Sequence, residues 1–351
     1  MSRPARGWIA RWNDWWFPPS STLHLAICRI VAVGTQLFWF KPDLDEHLNL
    51  LAKNETFLDP QLITRILAAG FSRDGFFNPA TITVLYWATA AVGLLALAGL
   101  LTRLSLFLFA SGTWIFVSHL YSYGDRHHPE ALFAIFLMLL ALAPSGERLS
   151  LDALLRRRRT GDAGADVSEL AIWPLKLTQV LLGLTYFSAG MAKLVHSGPR
   201  WMNGYTLQGH TLADALSRDF PIGVWLGQQH ALAVLLSVFT IVFELFFWLS
   251  LFVPRRWGPA FLLAALLFQI GLYLTGGHDF FQHMTLLVLL MLFLYPEWWQ
   301  GRWGARGSEP RTPTPSLVTP RGSSPADRPA PAPPPPSRGP SPSPAGEGSP
   351  G

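Results

Sequence analysis

Residues 231–254 read Ala231-Leu-Ala-Val-Leu-Leu-Ser-Val-Phe-Thr-Ile-Val-Phe-Glu244-Leu-Phe-Phe-Trp-Leu-Ser-Leu-Phe-Val-Pro254, and Arg255-Arg256 follow at once. An apolar run of this length is what a helix needs to cross a hydrocarbon core, about 20 residues. One acid, Glu244, interrupts it. Seven other runs have the same character, at about 21–40, 81–101, 104–121, 129–145, 170–194, 257–275 and 283–297. The fold class expected is therefore all-α integral membrane, a bundle of about eight transmembrane helices. The runs 129–145 and 283–297 are short, so seven spans is the lower count.

Composition points the same way. The chain has 351 residues, 50% of them hydrophobic and only 14% charged. Soluble domains carry about 25% charged residues. A single soluble domain is excluded, as are a wholly disordered chain, a collagen and a disulfide scaffold. One cysteine, Cys28, forms no internal disulfide. The net charge of +5 is not a nucleic-acid signal. The basic residues sit in short runs between apolar segments: Arg3, Arg6 and Arg11 before the first, Arg103 after the second, Arg156 to Arg159 after the fourth, Arg255 and Arg256 after the sixth, Arg302 and Arg306 after the eighth. The odd loops are mixed in charge, with Asp43, Asp45, Glu46 and Glu55 in the first. The positive-inside rule then puts both termini in the cytoplasm.

Three segments follow. Residues 1–20 repeat Trp at positions 8, 12, 15 and 16, the spacing of an amphipathic helix lying in the interface. The first span then acts as an anchor rather than a removed signal. Residues 21–301 form the membrane domain. Residues 302–351 hold 15 of the 29 prolines and almost no large apolar side chain. Such a Pro/Ser/Gly-rich tail cannot bury enough surface to order itself.

Ionisable groups inside a bilayer are costly, so each is a functional candidate. Arg29 and Glu244 lie at similar depths in the first and sixth spans and are expected to meet as a structural ion pair. Lys193, one of four lysines, sits near the outer end of the fifth span. A lysine among apolar neighbours can serve as a general base; alternatively it snorkels to the outer interface. His119, His127, His128, His196, His210, His230, His278 and His283 all fall at or near the outer face. Their spacing matches no metal or haem motif, and no metal is expected. No Walker loop, dinucleotide fingerprint or Gly-X-Ser-X-Gly elbow occurs. Asn54-Glu55-Thr56 fits a glycosylation sequon.

The stretch Tyr186-Phe-Ser-Ala-Gly-Met-Ala-Lys193-Leu, followed by Trp201-Met-Asn203-Gly204-Tyr205, resembles the HTTM family, the membrane domain of vitamin K-dependent gamma-glutamyl carboxylase. Cys28-Arg29-Ile30 resembles the arginine of its first helix, and Gly99-Leu-Leu-Thr-Arg103 its short basic turn. His128, with the apolar run to Ser150-Leu-Asp152, resembles its histidine-headed fourth helix. Glu244 falls where the family has an acid. The resemblance covers about 20–300.

It implies a catalytic base at Lys193, with His128 assisting beside a reduced naphthoquinone of vitamin K type. Trp201, Asn203, Gly204, Tyr205, Tyr186 and His127 would be substrate-binding. Oxygen is the implied co-substrate, with carbon dioxide if a secreted peptide is carboxylated. The implied partners are the lipid bilayer, a quinone or lipid, and a secreted peptide or protein, with no nucleic acid. The location is the inner membrane of a bacterial cell, multi-pass. Two readings stand beside this one. The first is a non-catalytic membrane partner that matures another polypeptide. The second is an electron carrier built on the outer histidines.

Overall fold

A computed structural model describes residues 7–39, 43–53, 58–71, 77–124, 128–162 and 164–298. Arg3, Arg6, Asn54 to Thr56, His127 and the segment from 299 onward, including the proline-rich tail, lie outside the described residues. So does the side chain of His128.

In chain order the helices are α1 (Trp8–Trp16), α2 (Thr22–Phe38), α3 (Leu44–Ala52), α4 (Leu62–Phe71), α5 (Pro79–Ala98), α6 (Thr102–Tyr121), α7 (His128–Leu142), α8 (Leu151–Thr160), α9 (Trp173–Ser197), α10 (Tyr205–Arg218), α11 (Pro221–Gly227), α12 (His230–Phe246), α13 (Gly258–Gly276) and α14 (Phe281–Phe293). Short 3-10 turns cover Gly198–Asn203, Phe247–Leu251 and Arg255–Trp257. Each of the eight apolar runs is a helix. Among the described residues, four helical segments are long and apolar enough to cross a membrane: Pro79–Ala98, Thr102–Tyr121, His230–Leu251 and Arg255–Gly276. Helices α2, α7 and α14 are apolar but shorter. Helix α9 has the length, but Lys176, Gln179 and Lys193 dilute its apolar character.

The protein is a multi-pass membrane protein with its core around α7. There Leu132, Phe133, Ala134, Phe136, Leu137, Leu140 and Ala141 are all buried. A helix apolar along its length and covered on most sides belongs at the centre. Helices α2, α6, α9 and α14 pack around it. By contrast α5 exposes Val84, Trp87, Leu94 and Leu95. Large apolar side chains on an outer surface suit lipid rather than water.

The helix ends follow local chemistry. Asn78 caps α5 by accepting a hydrogen bond from the Thr81 N–H at 2.9 Å, and Pro79 takes the first position. Gly99 stops α5 with φ +69°, and a Cβ there would lie 2.5 Å from that of Ser150. Only glycine fits this left-handed, crowded corner. The carboxylate of Asp152 accepts from the backbone N–H of Leu101 and Thr102 and from the Thr102 hydroxyl, at 2.7–2.9 Å. Partial burial pushes Asp152 up, but the Thr102 and Leu101 bonds and the Arg29 charge outweigh it and hold its pKa below the usual range.

This clasp sits at one end of the bundle. Arg29, fully buried, donates to the carbonyls of Ser145 (2.8 Å) and Leu149 (2.5 Å). The two-residue strands β1 (Ser20–Ser21) and β2 (Val167–Ser168) pair antiparallel beside it. The ring of Trp15 in α1 lies 4.7 Å from Lys176 Nζ. Gln179 reaches Ser250 and Tyr295. Arg255 pairs with Glu297. The basic turns are thus gathered at one end.

The opposite end differs from the expectation of a simple loop over 41–80, because α3 and α4 fold back onto α6. His47 Nδ1 lies 3.0 Å from His119 Nδ1, both rings buried. The Thr64 hydroxyl meets those of Ser118 (2.9 Å) and Ser122 (3.0 Å). Their length hid these caps, since 9 and 10 residues are too few to read as a span.

Candidate functional site

Helices α9 and α12 run side by side, and small residues set their approach. A Cβ on Gly190 would stand 3.1 Å from Glu244 Cβ and 3.2 Å from Leu245. Tyr186, Gly190 and Lys193 are spaced i, i+4, i+7, so they share one helix face. That face looks at α12. Lys193 Nζ donates to both oxygens of Glu244, at 2.8 and 2.7 Å. Glu244 is 5% exposed. The lysine side chain keeps 26% of its surface exposed. The Trp201 ring, buried in the 3-10 turn after α9, lies 5.4 Å from Nζ.

About two turns along α9 from Lys193, the buried Tyr186 hydroxyl accepts from the amide of Gln269 on α13 at 2.7 Å. Phe243, Phe247 and Phe268 surround the tyrosine ring, with centroids at 4.7–6.2 Å. Gln269 Oε1 and Ser237 Oγ are buried without a hydrogen-bond partner.

The expected pairing of Arg29 with Glu244 needs correction. Equal depth did not make them neighbours. Arg29 turns toward two carbonyls at the basic end, and Lys193 takes the carboxylate. Depth along a helix axis carries no information about which face a side chain leaves from. The expectation of Lys193 among apolar neighbours also changes, since its amine is held bidentate by an acid.

The other sequence candidates divide. Tyr186, Lys193 and Trp201 come together with Glu244. Asn203 instead accepts from the Tyr205 N–H at 3.0 Å. The Tyr205 ring is 67% exposed and stacks near His230 at 4.5 Å. Gly204 packs against Val234. None of these three faces the ion pair. The backbone of α7 begins at His128, and α7 and α9 are neighbours.

Between α7 and α9 lies an open groove of about 510 Å³. Ala131, Leu132 and Ile135 line one side, and Leu184, Ser188 and Ala189 the other. Its upper margin is one helical turn from His128 and one from Lys193. Among the described residues, no group of three or more His, Cys, Asp or Glu side chains is placed to hold a metal ion.

A family model described as HTTM domain matches residues 17–298. The chain belongs to the HTTM family. No curated protein and no solved structure matches it. The matched segment of this HTTM domain contains every residue of the Lys193 cluster. Gln269 went unread in the sequence, although a lone amide in an apolar run is a usable signal. The pairing of Asp214 with His278, at 2.9 Å, had no such signal, because 64 residues separate them.

Proposed function

We propose that this HTTM protein is a membrane enzyme of quinol chemistry, related to the membrane domain of vitamin K-dependent carboxylase. The observation that carries the reading is the Lys193–Glu244 pair beside Trp201, its carboxylate buried and its lysine partly exposed, one helical turn from an apolar groove. Eight spans with both termini in the cytoplasm suit the gathering of basic turns at one end. In that frame the pair lies toward the outer face of the inner membrane.

The groove fits the substrate class. Its volume lies within the range of small-molecule sites, roughly 300–1,000 Å³, and its walls are apolar. A lipid-soluble naphthoquinol would lie between α7 and α9 with its hydroxyls toward His128 and Lys193. The quinol would supply the electrons that reduce oxygen. With the proton they share resting on Glu244, Lys193 is a neutral amine and receives the hydroxyl proton; the Glu244 carboxyl then releases its own proton outward, which restores the ammonium–carboxylate pair. The Trp201 ring, 5.4 Å from Nζ, shields one side of the amine. Coupled carboxylation of a peptide would use the same base unit, with carbon dioxide as the second gas.

The test is consumption of a reduced naphthoquinone, with epoxide detection, by purified protein in lipid with oxygen and bicarbonate. Wild type should form epoxide, and Lys193→Ala at least ~100-fold less, the low end for a lost general base. A folded wild type that forms none removes the quinol reading.

The same ion pair favours a second reading. A lysine already bound to a carboxylate is also a clamp between α9 and α12. In that case the protein is a non-catalytic membrane partner that matures a secreted polypeptide, and Lys193→Ala leaves its co-purifying partner in place.

A further inference from the structure

A second space lies away from the lysine, among α10, α12 and α13, with a volume of about 400 Å³. Its walls are apolar: Leu236 and Phe239 from α12, Leu267, Phe268 and Leu272 from α13. Phe239 and Leu267 are also exposed on the outer surface of the bundle. The space therefore opens sideways, toward lipid. Along α13 the lining runs from Ala264 to Gly276, about 18 Å at 1.5 Å per residue.

One end is polar. Asp214 on α10 and His278 after α13 both border the space and lie 2.9 Å apart, Oδ2 to Nε2. A carboxylate held against one imidazole nitrogen fixes the ring and its tautomer. His278 then offers Nδ1 as an acceptor. No Lys or Arg lines the space. Arg218, one turn beyond Asp214, donates to the Gly277 carbonyl at 2.8 Å and closes that corner.

Gly271 borders the middle of the space, and a Cβ built on it meets nothing within 4 Å. Glycine inside a helix costs roughly 0.5–1 kcal/mol relative to alanine. A larger side chain at this position would enter the void without a clash.

We propose that this cavity binds a single-chain amphiphile with a hydroxyl head. The tail lies along α13, and the hydroxyl donates to the His278 that Asp214 orients. A long apolar slot with one polar end and a lateral opening selects amphiphiles drawn from the bilayer. The acceptor at its head, with the Asp214 carboxylate beside it and the Arg218 guanidinium turned to the Gly277 carbonyl, selects hydrogen-bond donors over carboxylates and phosphates. The site does not rest on the quinol reading: it lies on other helix faces and includes neither Lys193 nor Glu244.

The experiment uses the full chain in phosphatidylcholine nanodiscs with a diazirine-bearing hexadecanol. Cross-linked peptides are mapped by mass spectrometry. Competitors are 1-dodecanol, dodecane, dodecylammonium and dodecanoate. Label should fall within 207–214 and 264–278. Gly271→Phe and Gly271→Leu, each checked for an unchanged melting temperature, should reduce it at least ~10-fold. Dodecanol should compete about tenfold better than dodecane, the size of one hydrogen bond, and His278→Phe should erase that advantage. Label that is equal in wild type and both Gly271 variants overturns the site. A hydroxyl advantage that survives His278→Phe, or stronger competition by the ammonium or the carboxylate, overturns the head-group assignment.

Discussion

Lys193 and Glu244 stand 51 residues apart in the chain and 2.7 Å apart in space, the lysine from α9 and the acid from α12. The contact joins two helices that the sequence places on either side of the α10–α11 cap. Gly190 makes it possible by letting α12 approach within van der Waals distance. A carboxylate so buried is stable only while its counter-charge is present.

Removing the amine should therefore destabilise the bundle. Lys193→Met leaves Glu244 buried and unpaired, and the expected loss is about 3 kcal/mol, the low end for breaking a buried pair. The double variant Lys193→Met/Glu244→Leu should regain most of that loss while staying inactive. Thermal unfolding in detergent measures both. A single variant as stable as wild type would show that the pair holds nothing together.

The Gln269 amide donates to the buried Tyr186 hydroxyl. Gln269→Leu strands that hydroxyl among phenylalanines, at an expected cost of about 1–3 kcal/mol. Tyr186→Phe on the Gln269→Leu background should remove most of the penalty, since both polar partners are then gone. A double-mutant cycle with no coupling would reject the contact.

The contact of His47 on α3 with His119 on α6, a second clasp, should be acid-sensitive. Burial, and secondarily the neighbouring His119, lowers the His47 pKa from 6.5 to about 3. Tyr86 and Phe116, from α5 and α6, add no charge to that environment. The folded His47 is thus neutral and the released one protonates, so the clasp is strongest above pH 6.5. It weakens as pH falls toward 3, by about tenfold in opening per unit. Hydrogen exchange of α3 amides between pH 7 and 5, corrected for intrinsic rates, should show this, and His47→Phe should flatten it. An exchange profile independent of pH would contradict the neutral pair.

Sidedness can be read with single cysteines, because the native Cys28 is buried. Cysteine at Arg158 should react with a membrane-impermeant maleimide only after cells are opened. Cysteine at Asp219 should react in intact cells. The reverse pattern would invert the proposed topology.

The helices were legible because apolar length is a local property. Each run that became a helix announced itself within about 20 residues, and Asn78-Pro79, Gly99 and Ser150 marked helix boundaries by chemistry confined to a few positions. Lys193 and Glu244 stood out for a related reason, as ionisable groups where lipid would reject them, and Tyr186 only through the family resemblance. Their pairing was not legible. Depth pointed to Arg29 as the partner of Glu244 and left Lys193 as a base or an interfacial lysine, because depth does not register rotation about the helix axes. The caps over 41–80 were missed because helices of 9 and 10 residues are too short to be read as spans.

By itself the sequence determined that this protein lives in a membrane, which segments are helical and where charge is concentrated, since bilayer solvation acts on each segment separately. Only the tertiary structure decided that Glu244 answers Lys193, that Arg29 ties down carbonyls, and that Asp214 and His278 face one cavity. Those outcomes depend on helix rotation and close approach, which arise when segments distant in the chain compete for the same space.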